Sequence, residues 1–491
     1  MSAEEMGTAD EGLASLPEEV WSAELARAHR DLSELDLRFR EHALRTPELR
    51  RRSTFAKLVE LQKVLGRKPQ PWPAFVGPEK LAEFKRVSLA ACNLLRSVVG
   101  RFYRFDPARA VAVYDLATAA QLDLLLSPPN GSDTALSRGD FIATPNGFQC
   151  IEFNFSANLG GWETVILAER LRALPSIAAF LAGQGEALSF TDTVEALFRH
   201  VLQTAVADGL CNGVLNVAFV LSQQGEDELG AMGSDLMNRT LQSASARLGA
   251  PLSTSVHFCR YKDLVSLRDR VYLGRTRIHS VVELDSRVTQ AAVYRSFKRG
   301  GALIFNGPLS PLMTSKLTLG LAWELESAGL VSEAERRLLR EHFPWTRQVV
   351  SGSVRFHDQE VAFADLLAQE RDSLVLKRAD SYGGKDVWMG RSSTAGEWEA
   401  ASRRALAEGD WVAQEALEFV PYLFQCGEDG CAVHDVIWGP FFFGESYGGT
   451  VLRMQPRAQG GPVNLSRTAT EGVVFEVQPR PDPGDGSPGK S

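Results

Sequence analysis

Cysteine is scarce and scattered in this chain of 491 residues: the six stand at positions 92, 150, 211, 259, 426 and 431. Only Cys426 and Cys431 are near neighbours, and their spacing fits neither a zinc site nor a dithiol redox motif. This argues against a disulfide scaffold and leaves buried thiols in a reducing cytoplasm as the expectation. The eight histidines do not cluster either. His434, beside Asp435 in a strand-like run, is a candidate general base, against the plainer reading of a structural histidine. Basic runs are missing and the net charge is −8, which argues against nucleic acid or an anionic membrane as main partner. No apolar stretch is long enough to span a bilayer. The acidic start, Met1 to Met6, lacks the charged-then-apolar plan of a signal peptide, so a cytoplasmic location is expected.

What remains is ordinary globular material, 44% hydrophobic and 23% charged, long enough for roughly three domains. Apolar residues at helical spacing mark residues 21–44 and 79–105. A turn-rich stretch from Ser127 to Gly131 closes this helical region, taken as 1–130. Residues 163–208 read as helices, so that 131–210 joins a hairpin to helices. Strands and helices alternate over 211–330, an α/β unit with a mainly parallel sheet. Its last strand runs into Asn306, Gly307 and Pro308, at the end of a strand where such sheets bind ligands, although a plain turn fits the same residues. A helical connector opens the unit 331–475. The tail, 476–491, reads as disordered. Its Gly484 to Ser491 matches the Walker A string, but the prolines before it and the chain end after it leave no strand or helix to build a P-loop.

Two polar clusters carry chemistry. The first is Arg138, Asp140, Glu152 and Asn154. Residues 141–143 and 148–155 read as strands around the turn Pro145, Asn146, Gly147. A turn symmetric about Asn146 sets Thr144 against Phe148, Asp140 against Glu152 and Arg138 against Asn154. Side chains alternate faces along a strand, so these four polar groups share one face. Phe141, Ala143, Ile151, Phe153 and Phe155 take the other. Opposed carboxylates repel unless a cation lies between them, and hard oxygen ligands suit magnesium whose shell phosphates complete. An ordinary ion pair on a solvated face is the competing reading.

The second cluster begins at Lys377, at the end of an apolar strand. Gly383, Gly384 and Lys385 follow, a loop whose backbone N–H groups can approach an anion closely. A returning strand near Val387, a helix over 394–406 and a strand from Trp411 come next. That strand runs into Gln414, Glu415, Leu417 and Glu418, a pattern that suits an adenine hinge with a carboxylate on the ribose. A plain hairpin with a glycine turn is the alternative reading of the loop alone.

With these residues in place, the chain resembles circularly permuted ATP-grasp proteins, in particular the synthetase domain of glutathionylspermidine synthase. There, an Arg-x-Asp pair and a Glu-x-Asn pair hold magnesium, spaced as Arg138, Asp140, Glu152 and Asn154 are here. In ordinary ATP-grasp enzymes the metal carboxylates follow the lysine and glycine loop; here they precede them. The likeness covers roughly residues 136–475 and also touches the segments around Lys316, 343–346, 443–453 and 463–467. It implies an α/β (α+β) fold and Mg2+ held by Asp140, Glu152 and Asn154. It also implies ATP phosphates on Lys377 and Lys385 under the loop from Gly383, adenine on 414–417, and Arg138 and Arg453 acting on the transferring phosphoryl group. The implied activity is ATP-dependent carboxylate–amine ligation through an acyl phosphate, on small-molecule or peptide substrates. A phosphotransferase on the same fold and a non-catalytic ATP-binding scaffold stay open. The first 130 residues have no counterpart in that likeness.

Overall fold

The structure is a computed structural model. It describes residues 21–51, 55, 58, 66–126, 133–221, 226–248, 252–284, 290–357, 359–381, 384–428, 430–463 and 469–478. The Walker-like string, Gly383, Asn464 and Arg467 lie outside the described residues.

The hairpin forms from Leu136–Thr144 and Gly147–Asn154. Arg138 pairs with Asn154 and Asp140 with Glu152, by a different route from a symmetric turn. Thr144 pairs with Gly147 rather than Phe148, because Gly147 takes φ 103° and Thr144 Oγ1 donates to its carbonyl at 2.8 Å. A bulge between Asp140 and Phe141 absorbs the extra residue, Ile151, and restores the register. Ile151 therefore leaves the aromatic face on which the sequence placed it, and packs with Ile142 and Ile437.

Phe141, Phe148, Phe153 and Phe155 are buried in the largest core cluster. They face the N-terminal helices, with the ring of Phe84, on the long helix Pro78–Phe105, tilted against Phe148 at 4.5 Å. Ser33 splits the helical stretch 21–44 in two by capping Glu34–Arg45, where its Oγ accepts from Asp36 N at 3.0 Å. The region is not purely helical: Ala74–Val76 is a strand, parallel to Thr470–Val477. Fully buried Asp36 fastens the layer together, accepting from Phe75 N at 2.8 Å and pairing with His29 and Arg40. The N-terminal helices thus cover one face of a sheet completed from the far end of the chain.

That eight-stranded sheet runs in the order Ala74–Val76, Thr470–Val477, Ser446–Pro456, Gly430–Phe443, Leu136–Thr144, Gly147–Asn154. Tyr422–Cys426 and Leu188–Ser189 add to it at the sides. Strands read in the sequence as one unit with Lys377 therefore divide: those beyond residue 421 belong with the hairpin. A second, four-stranded sheet is antiparallel: Thr346–Gln348, Trp411–Glu415, Leu374–Arg378, Val387–Met389. Helices Phe363–Gln369 and Ala395–Glu408 back it through Trp398 and Trp411. A third sheet, Leu303–Phe305, Ser280–Glu283, Val214–Val220 and Ser253–Cys259, is parallel throughout. At its mouth Asn306, at φ 59°, donates its N–H to Thr134 O at 3.1 Å and accepts from Leu136 N at 2.9 Å. The turn anchors the first hairpin strand. Among the described residues no helix is long and apolar enough to cross a membrane.

Candidate active site

Paired residues in antiparallel strands share a face, so sheet register assembles the first half of the site. Arg453 pairs with Ile437, which pairs with Ile142, two residues beyond Asp140. Arg138, Asp140 and Arg453 consequently meet on the face opposite the aromatic core. Arg138 Nε donates to Asp140 Oδ1 at 3.1 Å, and Arg453 Nη2 forms an ion pair with the same oxygen. Arg138 Nη1 also donates to Leu159 O. Burial opposes ionisation of Asp140, but the Arg138 and Arg453 guanidiniums win and hold its carboxyl below the usual range. Burial pulls the Arg138 guanidinium down in turn. Gly439 makes room: a Cβ there would sit 2.9 Å from Val451 Cγ1 and 3.2 Å from Arg138 Cδ.

Glu152 lies opposite Asp140 and meets Lys316 Nζ at 3.4 Å. Lys316 precedes the helix Leu317–Ser327, is 5% exposed, and donates to Ser381 O at 2.8 Å. It ties the hairpin carboxylate to the start of the glycine loop. No spacing in the sequence assigns Lys316 a role, because it stands at an ordinary helix start.

The second half comes from the small sheet. Lys377 Nζ donates to Gln414 Oε1 at 2.6 Å and to Ile151 O at 3.3 Å. Gln414 Nε2 donates to Thr346 Oγ1 at 3.0 Å. Burial lowers the Lys377 pKa to about 8, with Glu152 and Asp140 pushing it up and Lys316 pushing it down. Four buried or nearly buried cations thus surround two carboxylates, an excess of positive charge that fits a polyphosphate.

The remaining sequence candidates lie around this cluster. Asn154 is buried beside Arg138. Gly384 takes φ 66° and Lys385 is exposed at the loop. Glu415 turns away: its carboxylate accepts from Trp345 N at 3.0 Å and meets His357 Nε2 at 3.1 Å. Leu417 packs on the Ile142 and Ile437 cluster, and Glu418 is exposed. The structure therefore brings Arg138, Asp140, Glu152, Asn154, Lys377, Gln414 and Arg453 together. It does not bring in the carboxylates of Glu415 and Glu418. His434 is structural: it is buried, hydrogen-bonded to Ala432 O at 2.8 Å, and burial lowers its pKa to about 4.

Among the described residues no group of three His, Cys, Asp or Glu side chains is placed to hold a metal. Two carboxylates and the Asn154 amide are nonetheless a hard donor set of the size magnesium uses when phosphates fill the rest of its shell. The residues fit a metal that arrives with a nucleotide rather than one caged by protein alone.

No family model matches the sequence, and neither does any curated protein sequence. Among solved structures, a putative gamma-glutamylcysteine synthetase from Methylobacillus flagellatus KT aligns with TM-score 0.36 and 9% identity, over 68% of this chain and 80% of that one. A glutathione synthetase-like effector from Globodera pallida, in its apo form, aligns with TM-score 0.54 and 11% identity, over 83% of this chain and 90% of that one. At such identity the likeness is one of fold: this chain has a mixed α/β fold similar to that of the glutathione synthetase-like effector.

Proposed function

We propose that the chain is an ATP-dependent carboxylate–amine ligase with a circularly permuted ATP-grasp arrangement. The observation that carries this is the convergence of Arg138, Asp140 and Glu152 with Arg453, Lys316 and Lys377 in one cluster with excess positive charge. They come from two sheets and a helix start. The fold shared with a glutathione synthetase-like protein agrees with amide-forming chemistry.

A carboxylate is a poor electrophile because oxide is a poor leaving group. In the proposed reaction its oxygen attacks the γ-phosphorus of ATP, the bond to the bridging oxygen breaks, and ADP leaves. An amine then adds to the acyl carbon, the acyl–oxygen bond breaks, phosphate leaves, and the amine nitrogen loses a proton. The protein's share is positioning and charge neutralisation. Lys377, Lys385 and Lys316 take phosphate oxygens. Residues 414–417 line the adenine. Arg138 and Arg453 hold the carboxylate against the transferring group, where charge accumulates. Magnesium, held by Asp140, Glu152 and Asn154, would neutralise phosphate charge when bound.

Incubation with Mg-ATP and hydroxylamine across pools of amino acids, short peptides and other acids tests this directly. ADP release with a hydroxamate that depends on one acid is expected. A stable phosphorylated product with no hydroxamate would establish a phosphotransferase instead. Glu152→Ala is expected to lower turnover by about 100-fold or more with the fold intact; unchanged turnover would remove Glu152 from the metal site.

A further inference from the structure

Beside the parallel sheet lies a surface that the proposed reaction does not use. Residues 260–277 hold Arg260, Lys262, Arg268, Arg270, Arg275 and Arg277 against Asp263 and Asp269, in a chain whose net charge is −8. No basic run marks them, because strand alternation spaces them out. The segment folds into a three-stranded antiparallel sheet, Leu264–Leu267, Arg270–Leu273 and Thr276–Ile278. Leu264, Val271 and Ile278 enter a core with Val293 and Phe297. Register sets Val265 against Tyr272, Tyr272 against Arg277 and Leu267 against Arg270, so these five side chains share the other, outward face. Val265 and Leu267 are 59% and 61% exposed and stand side by side there. Of the two acids, Asp269 pairs with Arg299 at 2.6 Å, and Asp263 accepts from Arg260 N at 3.0 Å. Among the described residues neither forms an ion pair with Lys262, Arg268, Arg270, Arg275 or Arg277. Arg277 Nε is buried without an acceptor, and burial, then the neighbouring Arg270, lower the pKa of this guanidinium. The face is firmly held: Asp269 O lies 1.5 Å from where a Cβ on Gly301 would stand.

Unpaired cations crowded on one exposed face gain from an anionic surface. Three such surfaces differ in what they offer the apolar pair. A nucleic acid would meet the arginines but would set Val265 and Leu267 against sugar and phosphate. An acidic protein segment would need carboxylates placed one by one against five cations. A bilayer with anionic headgroups supplies a continuous negative potential for the cations and, just beneath it, an apolar boundary for Val265, Leu267 and the Tyr272 ring. We propose that this sheet face docks on an anionic phospholipid surface. Val265 and Leu267 enter the boundary between headgroups and chains. Arg270 and Arg277 on the face, and Lys262, Arg268 and Arg275 at its ends, meet the headgroup phosphates. Such peripheral docking needs no spanning segment. The net charge of −8, which spoke against an anionic membrane as main partner, here acts on orientation: the acidic remainder of the chain is repelled, so the molecule is turned with this face toward the lipid.

Co-sedimentation of the full chain with vesicles tests this without nucleotide or substrate, so its outcome is independent of the ligase reading. Vesicles of phosphatidylcholine and phosphatidylserine in equal parts are expected to carry the protein down, and vesicles of phosphatidylcholine alone are not. Added salt should release it. Arg268→Ala combined with Arg270→Ala is expected to weaken binding by about tenfold or more, and Val265→Ser combined with Leu267→Ser by a similar factor. All four side chains are exposed, and thermal melts confirm that both double variants are folded. Failure to bind the anionic vesicles would overturn the proposal. So would equal binding to the neutral vesicles, or unchanged binding by either double variant. Binding of duplex DNA or of polyglutamate that is lost in the arginine variant, with no binding to vesicles, would assign the face to a nucleic acid or to an acidic protein instead.

Discussion

A buried lysine that must meet phosphate is only useful while it is charged, and Lys377 is poised near its limit. Its folded pKa of about 8 means that above this pH the free site sheds the proton that an anion requires. Phosphate binding restores the charge, so binding takes up a proton as pH rises past 8. Affinity for Mg-ATP should therefore fall between about pH 7 and pH 10. Lys377→Met should bind weakly throughout, with wild type converging on it at high pH; a flat wild-type profile would show that Lys377 does not touch the nucleotide. Glu471 makes the opposite kind of prediction. Its carboxyl is held well above the ordinary range in the folded state, first by burial and then by Glu163. Between the ordinary carboxylate range and the raised value the folded state binds more protons than the unfolded one. Stability from this group is thus present at acid pH and lost as pH rises. Glu471→Gln, which never ionises, should raise the melting temperature more at pH 8 than at pH 5. A gain that does not grow with pH would show that Glu471 does not lose its proton over this range.

At the scale of elements, the hairpin was legible because two local signals agree. A period of two separates Arg138, Asp140, Glu152 and Asn154 from the phenylalanines, and Pro145 to Gly147 can only be a turn. What the pattern does not contain is the bulge at Ile151. A tighter turn plus one extra residue gives the same pairing at Asp140 and Glu152 as a looser turn without it, and both write the same sequence. Sheet membership was hidden for a different reason. Phe441 pairs with Arg138 and Ile437 with Ile142, but nothing local in a strand names its neighbour, so the strands beyond residue 421 read as companions of Lys377. Lys316 was hidden for the same reason, since its partner Glu152 is brought to it by tertiary structure alone. The strand Gly430–Phe443 offers its own test. Gly439 leaves the space that Arg138 occupies, and Gly439→Ala would press a methyl group against Val451 and the Arg138 side chain. ATP turnover should fall by about tenfold or more from displacing that guanidinium, with a destabilisation of about 1–3 kcal/mol from overpacking. A stability loss with full turnover would show that Arg138 is free to move without consequence.

Across the whole molecule, the candidate site is a seam. The central sheet supplies Arg138, Asp140, Glu152, Asn154 and Arg453, and the small sheet supplies Lys377 and Gln414. Among the described residues, Lys377 and Gln414 donate across the gap to Ile151 O, Val420 N donates to Ala143 O at 2.8 Å, and Lys316, which donates to Ser381 O on one side, meets Glu152 at 3.4 Å on the other. The excess positive charge lies between the two sheets. A polyphosphate bound there adds contacts to both sheets at once, which neither sheet makes by itself. Mg-ATP should therefore stabilise the molecule as a unit. A ligand at a hundred times its Kd contributes about 2.7 kcal/mol, enough to raise the melting temperature by about 2–3 degrees in a chain of this length. Hydrogen exchange should slow together in residues 136–154 and 374–381, because opening either side would break the same bridge. Glu152→Ala and Lys377→Met remove one anchor from each side, and each should abolish most of the protection on both. Protection confined to 374–381, with 136–154 unchanged, would mean that nucleotide binds the small sheet without engaging the hairpin, and the shared site would have to be abandoned.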